Sequence, residues 1–395
     1  MTNGIVIMHW NERIGAEITG AYPPEAQKRI QIKTLMQLYA QHEYTGESGF
    51  VYLTVADLNL VSYYTGPETK YYLVLSLDED EEGTDFEEGI LTITREFMDI
   101  ADDLDKVKDF LPELFKQVSS FPYFTEEQKL GVFFRDEVKK KIIERFRNEM
   151  MVARSDIELW VKQNFDIYVD IEALLDQLMD MGLVKTVSVK GISSDMMFFV
   201  QDIMMLRHPP IDIVKKPGDF NIPDSLHKFY VAEVRKFFKS YILSDADNMK
   251  IVRNIVTNID TYNILQLLRH SAMTMGELKS RLNLKEKELG ALLKKFWELQ
   301  MIAVLEDKHK VEFYCLISDF YISKFYPTYN IDTIIESYKN KVQGKKVLLK
   351  ALDLMREEYY IQHNLAKKKA KEKKKEDDEG VPKVKQLPAT PSFAS

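Results

Sequence analysis

The hydrophobic pattern of this chain changes character partway along, and that change limits its possible folds more than any other feature. Up to Leu77 the apolar residues gather in short runs rich in β-branched and aromatic side chains, as strands do. From about Phe124 the strand signal fades and the apolar spacing becomes helical, with only brief strand-like pairs. Charge divides at nearly the same place. Residues 1–122 hold 22 Asp/Glu against 9 Lys/Arg, and the remainder holds 40 against 45. An acidic first third ahead of a near-neutral, helix-rich remainder predicts an α+β interaction protein of several domains, since 395 residues are long for one core.

In the first third, Gly4–His9 and Glu12–Ile18 predict two strands joined by a tight turn. Pro23-Pro24 opens a helix with Ile30, Ile32, Leu35, Met36, Leu38 and Tyr39 at helical spacing, ending near His42. Phe50–Val55, Leu58–Tyr64 and Lys70–Leu77 predict three more strands, with Thr65-Gly66-Pro67 as a turn. Thr84 with Glu87 three residues on has the form of a capping box starting a helix to about Ile100. A further helix over Asp105–Ser119 places Val107, Phe110, Leu111, Leu114, Phe115 and Val118 on one face.

The segments Gly4-Ile5-Val6-Ile7, Arg13-Ile14-Gly15 and Leu60-Val61-Ser62-Tyr63-Tyr64-Thr65-Gly66, in the order β-β-α-β-β-β-α-α, resemble the longin domain over residues 1–122. The resemblance implies a five-stranded antiparallel sheet with one helix on one face and two on the other. It also implies a non-enzymatic platform that docks small GTPases, trafficking factors or other longins.

Beyond it, Glu126–Met151 predicts one long helix, and Ser155–Asn164 a short one with Ser155 as N-cap. Asp170–Met181 is a third helix, and Leu183–Val189 with Met196–Val200 are paired strands around Gly191. Residues 123–206 thereby have the outline of a winged helix. Residues 207–223, with four prolines, read as a linker. Asp224–Leu243 is a bracing helix within a second unit over 224–325. There Ile259–His270, Thr274–Leu282 and Lys285–Gln300 are helices, and Met301–Leu305 and Val311–Ile317 strands around the tip Glu306–Lys310. Met273-Thr274-Met275-Gly276-Glu277-Leu278, running into Leu289, Leu292-Leu293, Leu299 and Ile302, resembles the winged helix of small bacterial and archaeal regulators. A C-terminal helix is expected over 326–365, broken near Gly344. Residues 366–395, with seven lysines between Lys367 and Lys375, are expected to be a disordered, solubilising tail. Near an anionic membrane each such lysine would add about 1 kcal/mol of attraction.

Residues suited to bond chemistry are sparse. Asp78, Asp80 and Glu82 before Gly83 imitate the start of a calcium loop, but the twelfth position is Gly89 where a bidentate Glu is required. The alternative is an acidic loop entering a helix N-terminus, where negative charge is favoured. The histidines are scattered, and a single cysteine, Cys315, lies in the apolar run Val311–Ile317, so no zinc set is expected. No Walker A, G-x-G-x-x-G, H-E-x-x-H or G-x-S-x-G run occurs. The expectation is no catalytic residue, no metal and no cofactor. Cys315 cannot form an internal disulfide, no apolar run nears the roughly 18 residues of a spanning helix, and Met1–Ile7 lacks a signal-peptide pattern. A soluble cytoplasmic protein without integral membrane association is expected.

A recognition helix must approach phosphates, so charge tests the two wing units differently. The candidate recognition helix of the first carries Asp170, Glu172, Asp176 and Asp180 with Asp166 just before it, and no Lys or Arg falls between Asp166 and Val184, which suits protein contact. The second offers Lys279, Arg281, Lys285, Lys287, Lys294 and Lys295, with Lys308 and Lys310 on the wing. Lys287, Lys294 and Lys295 are placed to share a face, either against phosphates or as an ordinary solvated surface mixed with Glu277, Glu286, Glu288 and Glu298.

Two functions follow. One is an adaptor that docks a small GTPase or a longin- or roadblock-type protein, in outline similar to the nitrogen-permease-regulator-like subunits that control Rag-type GTPases. The other is a transcriptional regulator whose second winged helix binds DNA while the first domain senses a partner or dimerises.

Overall fold

Strict alternation of apolar side chains builds the N-terminal sheet in the computed structural model, which describes residues 2–165 and 171–378. Strands β1 (Gly4–Asn11) and β2 (Gly15–Tyr22) are followed by helices α1 (Ala26–Arg29) and α2 (Ile32–Thr45). Then come β3 (Gly49–Val55), β4 (Leu58–Tyr64), β5 (Tyr71–Leu77), α3 (Glu87–Met98) and α4 (Leu104–Ser120). The five strands form one antiparallel sheet in the order β2-β1-β5-β4-β3. Ile5, Ile7, Tyr63, Leu73 and Leu75 meet Ile90, Ile93, Phe97, Leu111 and Leu114 of α3 and α4. The alternate residues Val6, Met8, Leu60, Tyr64 and Val74 meet Ile30, Leu35 and Leu38 of the α1–α2 segment. The sheet is therefore covered on both faces.

Three local expectations are corrected here. The helix after Pro23-Pro24 is two pieces, interrupted at Ile30-Gln31. The Thr84–Glu87 capping box does not form: Gly83–Phe86 is a 3₁₀ turn, and the Glu87 carboxylate accepts the Tyr52 hydroxyl instead. Phe110 is 49% exposed, because at 3.6 residues per turn it falls about 80° from the centre of the buried stripe on α4.

From residue 126 a second compact unit begins. The long helix expected there breaks at Asp136 into α5 (Glu126–Arg135) and α6 (Glu137–Glu149). The Asp136 carboxylate accepts the Val138 and Lys139 backbone N–H groups at 2.9 and 3.2 Å, capping the second piece. Strand β6 (Met151–Ala153), α7 (Arg154–Asn164), α8 (Ile171–Asp180), β7 (Val184–Val187) and β8 (Met196–Phe199) follow, with the strands in the order β6-β8-β7. Ala153, not Ser155, stands at the N-cap of α7. Asp166 and Asp170, and the start expected for α8, lie outside the described residues.

Residues 207–223 are not a linker. Arg207 is buried within β9 (Asp202–His208), and α9 (Ile211–Lys215) and a 3₁₀ turn at Pro217–Phe220 follow. Next are α10 (His227–Ser240) and α11 (Asp245–Ile251), which runs into a π-helical turn, Val252–Val256. Helices α12 (Ile259–His270), α13 (Met275–Leu282) and α14 (Glu286–Glu298) precede β10 (Ile302–Glu306), β11 (Glu312–Leu316) and β12 (Asp319–Phe325). Strand β12 pairs antiparallel with β9, from Asp319 opposite His208 to Phe325 opposite Asp202. The two wing-bearing segments are consequently one body with a continuous apolar core from Leu130 to Met355. Helices α15 (Asn330–Lys339) and α16 (Lys345–Asp378) complete it, with the expected break near Gly344. The expected tail is corrected as far as Asp378, where the chain is still helical; residues 379–395 lie outside the described residues.

Buried arginines pin the β9–β12 ribbon. Arg269 of α12 donates to Asp319 at 2.9 Å, to Glu127 at 2.8 Å and to the Phe320 carbonyl. Glu127 also accepts the Tyr262 hydroxyl at 2.7 Å and the Ile322 N–H at 3.2 Å. Burial alone would lower the Arg269 pKa, but Glu127 and Asp319 outweigh it and hold the group above its ordinary value. Arg269→Ala leaves two part-buried carboxylates facing one another. It is expected to destabilise the second unit by about 3–5 kcal/mol, read as a lowered urea midpoint by tryptophan fluorescence.

In the first unit His42 of α2 is buried, with Nε2 3.0 Å from Ser62 Oγ and its ring among Tyr64 and Tyr72. Burial pushes its pKa down to about 4. The unfolded chain takes up a proton near pH 6.5 that the folded unit refuses, so stability falls as pH drops from about 6.5 towards 4. The loss is expected to be on the order of 3 kcal/mol, and His42→Gln should flatten that part of the melting-temperature profile.

Candidate interaction surfaces

The second wing is assembled from local rules. Thr274 Oγ1 accepts the Glu277 N–H at 3.3 Å while Glu277 accepts the Thr274 N–H at 2.8 Å, a reciprocal cap that starts α13. Helix α14 buries Leu289, Leu293 and Phe296, and the chain returns through β10 and β11. Met273, between α12 and α13, adds a bridge to Tyr314 at the strand edge. The wing tip is a tight turn in which Asp307 Oδ1 accepts the His309 and Val311 N–H groups at 2.8 and 2.9 Å.

All eight basic residues singled out in this segment are at its surface to some degree. Lys279 and Arg281 are exposed on α13, Lys285 precedes α14, and Lys308 and Lys310 are exposed at the wing tip. Lys287 and Lys294, seven residues apart, share the outer face of α14, opposite Leu289 and Phe296. Lys295 does not join them: it is half-buried, because its step of about 100° from Lys294 carries it toward the core. Acids interleave with the bases. Lys294 lies 3.6 Å from Glu298 and Lys279 lies 3.8 Å from Glu286. Glu288 accepts the Lys285 backbone N–H at 3.2 Å.

One surface residue escaped the sequence reading. Trp297 on α14 is 63% exposed, on the flank beside Lys294. Its position one residue past Phe296, out of step with the buried 289-293-296 series, was the available signal. The first wing has the opposite charge character. Glu172, Asp176 and Asp180 of α8 are exposed, and Arg154 reaches Glu172 at 3.3 Å.

In the first unit the acidic segment after β5 fastens itself. Glu81 accepts the Asp78 N–H at 2.9 Å, and the Asn59 amide donates to the Asp78 and Glu81 carbonyls at 3.1 and 2.8 Å. Among the described residues no group of three His, Cys, Asp or Glu is placed to hold a metal ion. Cys315 is buried in β11, where burial pushes its thiol up to about 12 and keeps it protonated. Among the described residues the sheet has two edges, β2, which pairs with β1 alone, and β3, which pairs with β4 alone, and Tyr52 and Thr54 are exposed along β3.

No protein-family model matches the chain, and no curated protein matches it. Among the described residues no helix is long and apolar enough to cross a membrane.

With acids beside its outer bases, α14 is expected to bind duplex DNA weakly, with a shallow salt slope. Lys287→Glu and Lys294→Glu should leave that binding unchanged in an anisotropy titration across a salt series. A steep loss in either variant would identify α14 as a phosphate-contacting helix.

Proposed function

We propose that this protein is a non-enzymatic adaptor, with a longin-like N-terminal unit that docks a protein partner and winged-helix segments that add contact surface. The partner class is a small GTPase or another longin- or roadblock-type protein. The observation that carries the reading is the open edge of a sheet whose two faces are already filled. With α3 and α4 on one face and α1 and α2 on the other, the backbone edges of β2 and β3 are what the sheet leaves to offer a further strand, and β3 is the one along which Tyr52 and Thr54 are exposed. An edge of this kind supplies a row of backbone donors and acceptors, which proteins use for strand addition. The excess of acids in residues 1–122 would steer partners that carry basic patches. The regulator reading is weaker because the bases of the second wing are interleaved with acids at 3.6 and 3.8 Å.

Affinity capture with the full chain, read by mass spectrometry, tests the proposal. A small GTPase or a sheet-bearing partner is expected to be retained, and Thr54→Lys on the open edge is expected to reduce its recovery at least tenfold. The variant should keep the wild-type circular dichroism spectrum. Recovery of nucleic acid alone, or full recovery by Thr54→Lys, would count against the β3 edge as the docking element.

A further inference from the structure

Helix α10 buries Tyr230 and Val234 and turns a strongly one-signed face outward. Lys228, Arg235, Lys236 and Lys239 are all exposed, and at 100° per residue they fall on one arc of the helix with Phe229 and Ala232. No carboxylate lies within that arc; Glu233 sits at its margin, 3.6 Å from Lys236. Asp224 and Asp245 flank the helix in sequence, and Asp247 is already occupied by Arg207 at 3.0 Å.

Large apolar side chains stand at both ends of this basic strip. Phe229, in the first turn, is 65% exposed. At the other end the Tyr241 ring is held against the Arg207 guanidinium at 5.3 Å and stacked on Phe237 at 5.2 Å. The next two residues, Ile242 and Leu243, are 83% and 56% exposed. A helix of 14 residues separates the two ends by roughly 21 Å, with Arg235, Lys236 and Lys239 between them. Single exposed apolar residues are ordinary, but here three large ones stand within a few residues of four exposed cations.

The geometry points to the outer face of α10, with Ile242 and Leu243, as a docking surface for an anionic lipid bilayer. A bilayer interface accepts both kinds of group at once: headgroup phosphates and carboxylates meet the cations while Phe229, Ile242 and Leu243 enter the acyl boundary. Nucleic acid phosphates would satisfy the four cations and leave the three apolar side chains in water, which is why lipid is favoured. The binding is peripheral, with α10 lying along the surface, and it requires no spanning helix.

The test is vesicle co-sedimentation of the full chain, with phosphatidylcholine vesicles alone and with vesicles also containing phosphatidylserine. Binding is expected only to the second kind and to weaken as salt is raised. Each cation near such a surface contributes about fivefold in partitioning, so Lys228→Gln combined with Lys239→Gln should lower it roughly 25-fold. Ile242→Ser with Leu243→Ser should lower it as well, by a factor that salt does not change. All four positions are exposed, so an unaltered circular dichroism melt is expected for both double variants. The proposal is overturned if phosphatidylserine vesicles retain nothing at low salt, or if both vesicle types bind equally. It also fails if both double variants bind like wild type, which would assign attraction to the lysines beyond Lys367. Loss of duplex DNA binding in these variants with vesicle binding intact would make the strip a nucleic acid surface.

Discussion

The second unit depends on one constraint, the pairing of β9 with β12 and the charged groups buried along it. The two strands lie more than a hundred positions apart in the chain, and their register brings Asp202 opposite Phe325 and His208 opposite Asp319. At one end Asp202 accepts Arg147 at 2.9 Å and the Tyr329 hydroxyl at 2.8 Å. At the other, Arg207 donates to Ser318 at 2.5 Å, to Asp247 at 3.0 Å and to the Gln300 carbonyl at 2.8 Å. Arg269 joins Asp319 to Glu127 nearby. Buried ions of this sort add little net stability over an apolar core, but breaking one is costly because its partner is left uncompensated. Their effect is to hold a single register. With that register set, α6, α11, α12 and the loop after α14 are tied to the ribbon, and the segments on either side of it share one core.

The first unit reaches stability by a different route. Its sheet alternates so completely that both faces are apolar, and helices cover each. Polar groups are few in that interior, and the buried His42–Ser62 pair is tolerated because the imidazole stays neutral. Acidic side chains lie outside this core, where Glu81 and Glu87 are spent on local hydrogen bonds to Asp78 and Tyr52.

The contrast between α14 and α10 shows how charge and position combine into a surface. Both helices carry several lysines. On α14 Lys294 has Glu298 one turn away, and Glu286 of the same helix reaches Lys279 of α13, so the field of the bases there is largely cancelled at a distance. On α10 the acids are confined to the margin and the exposed face has one sign. Net charge counted along the sequence does not separate the two cases; the angular order of residues around each helix does.

Much of the fold was legible in the sequence because it rests on short-range rules. Apolar runs rich in β-branched and aromatic residues marked all five strands of the first sheet to within a few residues, and the short helix from Thr274, the helix Ile259–His270 and the break near Gly344 follow from neighbours three or four positions apart. The bases of the second wing were also recognisable, as residue types on a periodic helix. The tertiary structure alone decided the rest. Asp136 divides a helix only where capping competes with continued helix, Glu87 abandons its cap because Tyr52 lies across the sheet, and Arg207 and His208 are strand because β12, more than a hundred positions away, supplies a partner. The four prolines that suggested a linker describe local stiffness, whereas pairing and burial are set by contacts that no window along the chain contains.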